Sequence, residues 1–175
     1  MTRPTKTNAA GRAYLDLQNR ARREKRATQQ LLTLYVLERW LARLSASEYS
    51  EAFVLKGGML LAAFGCRRPT ADIDLLAQRL ANDEATVREF VLDIARIPLD
   101  DGVDYLADTA TAQPIRDKDD YSGVRISMDC CISTAVVKLK LDVNVGDPVT
   151  PAPQLVELAS QRPGQPPVSV LGYPI

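Results

Sequence analysis

The sequence predicts one α+β domain with a helical N-terminal leader, and three observations lead to that prediction. Residues 9–44 place apolar side chains three and four positions apart, which is the period of an α-helix. A short strand candidate, a glycine pair, a short helix and a second strand candidate follow. Two later stretches, 124–132 and 135–145, are strand candidates, and the second alternates strictly between apolar and polar side chains. A chain of 175 residues that is 46% hydrophobic suits a single domain with a sizeable core.

The predicted leader, residues 1–47, is helical and basic. Its apolar face is formed by Leu31, Leu32, Tyr35, Leu37, Trp40, Leu41 and Leu44, with a weaker one at Tyr14, Leu17 and Ala21. The polar stretch 20–27 between them is either exposed helix or a break between two helices. Residues 1–45 hold ten basic and three acidic side chains in a chain whose formal net charge is zero. This asymmetry suggests a polyanion or an acidic protein as partner, and the competing interpretation is an ordinary solvated helix surface.

The predicted core, residues 48–147, begins with the strand 53–55. A helix over 59–64 closes at Gly65, a strand covers 71–77, and Asn82 caps the next helix. Residues 98–122 are predicted to be rich in turns, with short strand-like pieces. Residues 148–175 carry seven of the eleven prolines, so we expect an irregular tail with one strand at 168–171.

Composition removes several kinds of chemistry. The chain has no histidine, which excludes histidine acid–base catalysis, Ser-His-Asp nucleophiles and histidine-bearing zinc sites. The three cysteines, Cys66, Cys130 and Cys131, form no metal-binding spacing and no disulfide framework. The N-terminus has no signal-peptide pattern, and no apolar run approaches the roughly 20 residues of a spanning helix. We therefore expect a cytoplasmic protein whose chemistry depends on carboxylates, lysines, hydroxyls, backbone and bound ions.

The sharpest motif is Lys56-Gly57-Gly58, separated by thirteen residues from Asp72-Ile73-Asp74. Residues i and i+2 of a strand share a face, so the two carboxylates point the same way and Ile73 points into the core. Adjacent carboxylates with room for water and phosphate suit Mg²⁺ or Mn²⁺. The glycine pair lets backbone N–H groups approach a phosphate closely. Together these features indicate a cradle for a triphosphate that faces its metal ligands.

A third carboxylate, Asp142, lies on the polar face of the 135–145 strand with Lys138, Lys140 and Asn144. Three strand-borne carboxylates could hold two metal ions, one orienting the triphosphate and one lowering the pKa of an attacking hydroxyl. Asp142 could instead act as the base. The plainer interpretation is a residue on the solvent side of a strand.

The stretch 53–75, FVLKGGMLLAAFGCRRPTADIDL, resembles the opening of the AbiEii/MenT-type nucleotidyltransferase toxins, which belong to the DNA polymerase β-like nucleotidyltransferase superfamily. Gly57-Gly58 and Asp72/Asp74 match the superfamily's glycine turn and aspartate strand. The stretch 139–148, LKLDVNVGDP, resembles the pattern that follows and puts Asp142 at the third acidic position. The resemblance covers about residues 50–175.

The resemblance implies a small mixed sheet flanked by helices and a toxin of a bacterial toxin–antitoxin pair. It implies a winged-helix antitoxin encoded nearby, and transfer of a nucleotide from an NTP to RNA, with the tRNA 3′ end as the expected acceptor, which blocks translation. The implied sites are catalytic and metal-binding Asp72, Asp74 and Asp142, catalytic Lys56 at the phosphates, and nucleotide-binding Gly57, Gly58, Lys138 and Lys140. Thr70 occupies a position that is phosphorylated in some members, although a threonine there also suits a turn.

The sequence departs from the family pattern in one respect. Family members continue past the Tyr173-Pro174 element into a helical half with a further lysine motif and an Arg/Asp motif. A shortened but active member would use Lys138 or Lys140 in place of the missing lysine. The alternatives are a truncated gene product and a catalytically inactive, truncated family member that acts as an antitoxin- or RNA-binding module. A third interpretation is an unrelated α/β domain in which the motif arises by chance.

Overall fold

A computed structural model describes residues 3–63, 71–78, 83–116, 122–146 and 151–174. The elements in chain order are α1 (Ala9–Glu24), α2 (Thr28–Ala46), β1 (Phe53–Lys56), α3 (Gly57–Ala63), β2 (Ile73–Gln78), α4 (Glu84–Ala95), β3 (Val103–Arg116), β4 (Ser122–Ile132), β5 (Ala135–Gly146), β6 (Gln154–Leu158) and β7 (Val168–Gly172). The predicted α+β class is confirmed: in this described part of the chain, four helices accompany one seven-stranded mixed sheet.

The basic stretch between the two apolar faces of the leader is a helix break. Helix α1 starts at the Asn8 cap, whose side chain accepts a hydrogen bond from the Gly11 N–H at 2.7 Å. It ends at Lys25, which adopts a left-handed conformation with φ of 55° and turns the chain toward α2. The side chains predicted to form the apolar faces of these helices, such as Leu17 and Trp40, are buried in the core.

The sheet has the strand order β3-β4-β5-β2-β1-β7-β6. The pairs β1/β7 and β2/β5 are parallel, and the other neighbours are antiparallel. A two-residue turn at Ser133 and Thr134 joins β4 to β5, with Ser133 at a φ of 56°. The long β4–β5 hairpin and the parallel β2/β5 pair bring the centre of β5 beside the motif strand β2.

Three details differ from the sequence predictions. Residues 103–116 form one long edge strand rather than a turn-rich segment, and Pro114 is tolerated there because an edge strand need not donate every N–H to a ladder. The tail is not irregular throughout, since β6 and β7 extend the sheet next to β1. Asp83 caps α4 through the N–H of Ala85, while the predicted cap, Asn82, lies outside the described residues.

The two faces of the sheet differ sharply. Alternate residues of β5 (Val137, Leu139, Leu141 and Val143) are buried, and one apolar core joins them to α1, α2 and α4. The residues between them, Lys138, Lys140, Asp142 and Asn144, point to the opposite face, as the alternation predicts. We call this second face the polar face. It also carries Val54 and Leu76, which are buried but lie outside the main core cluster.

The leader and the C-terminal strands share that core with the residues between them. The core cluster runs from Leu17 in α1 through Trp40 and Leu55 to Val170 in β7. The domain boundaries at residues 47 and 147 stay predictions. In the described part of the chain, no helix is long and apolar enough to cross a membrane.

A cluster of charged residues ties α2 to two loops beneath the helices, and we call it the buried ion cluster. It comprises Glu38, Arg39, Arg43 and Asp101. The Arg43 guanidinium donates to both Asp101 oxygens, at 2.7 and 3.1 Å, and Arg39 Nε donates to the same carboxylate at 2.9 Å. Glu38 accepts hydrogen bonds from Arg39, from the Ser160 hydroxyl and from the backbone N–H of Gln161. The cluster therefore fastens the loops around residues 101 and 160 to α2.

Candidate active site

Four charged side chains form a row across the middle of the polar face. Lys56 on β1 is in register with Asp74 on β2, Asp74 with Asp142 on β5, and Asp142 with Arg125 on β4. Side chains directly opposite each other on neighbouring strands share a face and lie about 5 Å apart at their Cβ atoms. We call these four residues the charged row. Its signs run plus, minus, minus, plus, so two carboxylates lie side by side with a cation at each end.

The turn at Gly57 holds the Asp74 carboxylate closely. Gly57 has a φ of 72°, a conformation that side chains rarely adopt, and a Cβ atom there would lie 2.2 Å from Asp74 Oδ2. Glycine is therefore required twice, for the backbone angle and for the space that the carboxylate occupies. Helix α3 begins at Gly57 itself, and Gly58 is the half-buried second residue of its first turn. The structure thus joins the two halves of the predicted motif, Gly57-Gly58 and Asp74, in direct contact.

The pKa of Asp74 is raised above its ordinary value of 3.8. Burial is the main cause, and the negative charges of Asp142 and Asp72 add to it, while Lys56 and Arg125 oppose it. The two carboxylates thus repel each other, and a cation between them would relieve that repulsion. Hard carboxylate oxygens on adjacent strands are a donor set that fits Mg²⁺ or Mn²⁺.

Arg125 was not predicted from the sequence as a site residue. Its Nε donates to Asp142 Oδ1 at 2.8 Å and its Nη2 to Oδ2 at 3.0 Å, a two-pronged pairing that uses both carboxylate oxygens. These bonds raise the pKa of the Arg125 guanidinium. The signal that could have found it is the two-residue turn at 133–134, because such a turn fixes the register and sets residue 125 opposite residue 142.

Asp72 immediately precedes β2 and is half-buried, and its charge acts on both Asp74 and Arg125. Ile73, between the two aspartates, is fully buried as predicted. Among the residues that the structure describes, no three metal-binding side chains are gathered into a ready-made site. The assignment of Asp72, Asp74 and Asp142 as a three-carboxylate metal set therefore stays a prediction. Thr70 lies outside the described residues.

The two candidate lysines of β5 lie at different distances from the charged row. Lys140 is two residues from Asp142 on the same face, or about 7 Å along the strand. Lys138 is two residues further away and its Nζ lies 3.7 Å from Asp129 Oδ1. The structure brings Lys140 near the charged row and leaves Lys138 beside an acidic partner on β4. The nucleotide-binding role of both lysines stays a prediction.

The ten basic residues of the leader fall into two groups. Arg39 and Arg43 belong to the buried ion cluster, and Arg20 is bound to the carbonyl oxygen of Gln161 at 2.7 Å. Exposed positions include Arg12, Arg22, Arg23 and Lys25. Since α1 packs on the apolar side of the sheet, these exposed charges lie across the sheet from the charged row. A polyanion-binding surface on the leader, as predicted, would therefore lie on the helical side of the sheet and not beside the charged row.

Comparison with known proteins is consistent with this geometry. Residues 39–175 match the family model described as nucleotidyl transferase AbiEii toxin, type IV toxin–antitoxin system. The match puts the chain in the class of nucleotidyltransferase-type toxins of toxin–antitoxin systems. Within that class, it belongs to the AbiEii family, which confirms the family resemblance of the sequence. No curated protein sequence matches this chain.

The fold is also similar to that of a solved structure. The crystal structure of JHP933 from Helicobacter pylori superimposes with a TM-score of 0.53 at 17% sequence identity. The match covers 85% of this chain and 53% of that one, so this chain spans about half the length of the similar protein. At this identity the similarity establishes the fold alone.

Proposed function

We propose that this chain is a toxin that transfers a nucleotide from an NTP to an RNA, with the tRNA 3′ end as acceptor, and thereby blocks translation. The observation that carries the proposal is the charged row beside Gly57. In it, two carboxylates lie side by side on adjacent strands, and the one on β2, Asp74, contacts the glycine turn and is in register with Lys56. An antitoxin partner follows from membership of a toxin–antitoxin family, and we propose the winged-helix type encoded nearby.

Each residue of the site has a separate task in this proposal. Asp72 and Asp74 would hold Mg²⁺ or Mn²⁺, and Asp142 would complete that set or accept the proton of the acceptor hydroxyl. A bound metal would neutralise the triphosphate and lower the pKa of the acceptor hydroxyl. Lys56 lies at the Asp74 end of the charged row, where its ammonium group can contact phosphate oxygens. The space beside the Gly57 Cα is taken by the Asp74 carboxylate, so the phosphates would approach the backbone N–H groups of the Gly57-Gly58 turn instead.

The reaction itself is a substitution at the α-phosphorus of the NTP. The acceptor 3′-oxygen forms a bond to that phosphorus, the bond to the β-phosphate oxygen breaks, and pyrophosphate leaves. The proton of the acceptor hydroxyl passes to a carboxylate of the site, and Asp142 is the candidate because it lies beside Asp74 in register. Positioning and charge stabilisation supply most of the rate in such transfers.

The test is label transfer from each of the four NTPs to total tRNA with purified protein, over a range of Mg²⁺ and Mn²⁺ concentrations. We expect transfer by the wild type and a loss of more than about 100-fold in Asp72→Ala/Asp74→Ala, since metal-binding carboxylates are removed. Asp93→Ala is the matched control, because that aspartate lies on α4 and pairs with Arg96. No label transfer with any NTP and either metal would refute the proposal.

A second function is favoured by one observation: Arg125 engages both oxygens of Asp142. A chain in which that pairing persists would bind an antitoxin or RNA without catalysis. Induced expression distinguishes the two functions. Growth arrest with extra 3′ nucleotides on tRNA, abolished by Asp72→Ala/Asp74→Ala, supports the enzyme. Normal growth together with co-purification of the neighbouring gene product supports the binding module.

A further inference from the structure

The Arg125–Asp142 pair differs from an ordinary surface ion pair in where it lies. It forms one end of the charged row, and Arg125 also acts electrostatically on Asp74 and Asp72. The Asp142 side chain is 17% exposed, whereas that of Arg125 is 47% exposed. The carboxylate is thus enclosed within the site, and the guanidinium covers it from the solvent side.

The pair engages the Asp142 carboxylate and the Arg125 guanidinium, and both groups would have other partners in the proposed reaction. Both oxygens of Asp142 accept hydrogen bonds from Arg125, so neither can bind a cation with its full charge while the pair is intact. The pairing uses two of the five N–H donors of the guanidinium. A planar guanidinium with an exposed edge matches the oxygens of a phosphate as well as those of a carboxylate. A triphosphate that takes the Nε–Nη2 edge, which Asp142 occupies, competes with Asp142 for those two donors.

We propose that Arg125 is a triphosphate-binding residue that exchanges Asp142 for phosphate oxygens of the incoming nucleotide. The proposal deepens the proposed function and rests on it for the identity of the nucleotide. Before binding, Arg125 occupies Asp142 and offsets the repulsion between Asp142 and Asp74. After the exchange, Arg125 holds the phosphates and the Asp142 oxygens are released. Nucleotide binding and release of the third carboxylate thereby become one event.

The exchange predicts a coupling between the two residues that a structural ion pair would not produce. Removing the Asp142 charge in Asp142→Asn eliminates the competitor for Arg125, so a polyphosphate should bind more tightly. Removing Arg125 eliminates the phosphate contact itself. In Arg125→Ala, the Asp142→Asn change should therefore give only the small gain that comes from one fewer negative charge.

The experiment is a double-mutant cycle on binding of inorganic triphosphate, measured by titration calorimetry without divalent metal or RNA. We expect Asp142→Asn to tighten binding about tenfold in the presence of Arg125 and about twofold or less in Arg125→Ala. Arg125→Lys should recover part of the affinity, because it keeps the charge and loses the planar fork. Thermal melting of each variant verifies that it is folded.

A matched control cycle uses Arg96→Ala and Asp93→Asn, an ion pair on α4 whose side chains are 55% and 49% exposed. This cycle should leave triphosphate affinity unchanged. Equal gains from Asp142→Asn with and without Arg125 would overturn the exchange, as would the absence of measurable binding by Asp142→Asn.

The label-transfer assay on wild type is read separately. If the wild type transfers label and the double-mutant cycle is additive, the role of Arg125 is rejected and the proposed function stands. If the cycle shows coupling but the wild type transfers no label, Arg125 binds triphosphate and the proposed nucleotidyl transfer is rejected.

Discussion

Two arginine–aspartate pairs in this molecule have the same chemistry and opposite surroundings. Arg43 and Asp101, in the buried ion cluster, have side chains that are 3% and 5% exposed. Arg125 and Asp142, in the charged row, are 47% and 17% exposed. Both arginines donate to both oxygens of their aspartate. The comparison separates what an ion pair contributes to folding from what it can contribute to binding.

Both members of the buried pair are held by further hydrogen bonds. Asp101 also accepts from Arg39 and from the backbone N–H of Val103, and Arg43 also donates to the carbonyl oxygen of Ile97. Among the residues that the structure describes, no buried side-chain nitrogen or oxygen lacks a hydrogen-bond partner. The charged row instead keeps two carboxylates side by side with solvent at its edge. A buried cluster whose charges are all hydrogen-bonded fixes structure, whereas a row with two adjacent carboxylates at a solvent-exposed edge can bind a ligand.

The largest expected difference between the two pairs is in stability. Arg43→Ala leaves the buried Asp101 with much of its charge uncompensated, so we expect a loss of about 3–5 kcal/mol in the free energy of unfolding. Arg125→Ala removes a partner from a pair open to solvent and should cost less than about 1 kcal/mol. Urea unfolding of both variants measures the difference. Similar losses in the two variants would show that the open pair is also structural.

A smaller effect is expected at the glycine that contacts the charged row. Gly57→Ala introduces both the strain of a positive φ, about 1–2 kcal/mol, and a clash with Asp74 Oδ2. Gly164 is the matched control, because its φ is 76° and no atom lies within 4 Å of a Cβ built there. We expect Gly57→Ala to lose more stability than Gly164→Ala by about 1 kcal/mol or more, and also to lose label transfer. Equal unfolding free energies would mean that Asp74 moves aside without cost.

Local sequence patterns predicted much of the fold and part of the site. The period of three and four residues found the leader helices, and alternation found β5 and its buried face. Residues 103–116 were predicted only as short strand-like pieces, because the stretch 98–122 around them is acidic like many turns, and a long hairpin partner on β4 overrides such weak preferences. Asp74 and Asp142 were chosen separately from local patterns. That they are neighbours depends on the parallel β2/β5 pairing, which no local pattern specifies.

The function of the leader was the least predictable part, for a physical reason. A count of basic residues cannot distinguish Arg43, which is buried in an ion pair, from Arg22, which is exposed. That distinction depends on Asp101, some sixty residues further along the chain. Arg125 was missed for the converse reason, since a single arginine in a strand has no pattern until the register of the hairpin is known.

The smallest expected effect concerns the charge of Asp74, which is disfavoured by burial and by the neighbouring carboxylates. The raised pKa of Asp74 means that its ionised form is disfavoured in the folded state, so Asp74→Asn should stabilise the protein at neutral pH. The residue is only half-buried, so we expect a gain of under about 1 kcal/mol in the free energy of unfolding. The same variant should lose label transfer. Substitutions in the buried ion cluster should not combine a gain in stability with a loss of transfer, because the charges there are paired.

The pH dependence of that gain identifies its cause. Folded Asp74 binds a proton more tightly than the unfolded chain does, so wild type recovers stability as pH falls through the raised pKa. The advantage of Asp74→Asn should therefore be complete above the folded pKa and should disappear below the ordinary value of 3.8. Paired urea titrations of wild type and variant across this range measure it. A gain that does not change with pH would assign the effect to packing against Gly57 instead of burial of the Asp74 charge and its repulsion by Asp142 and Asp72.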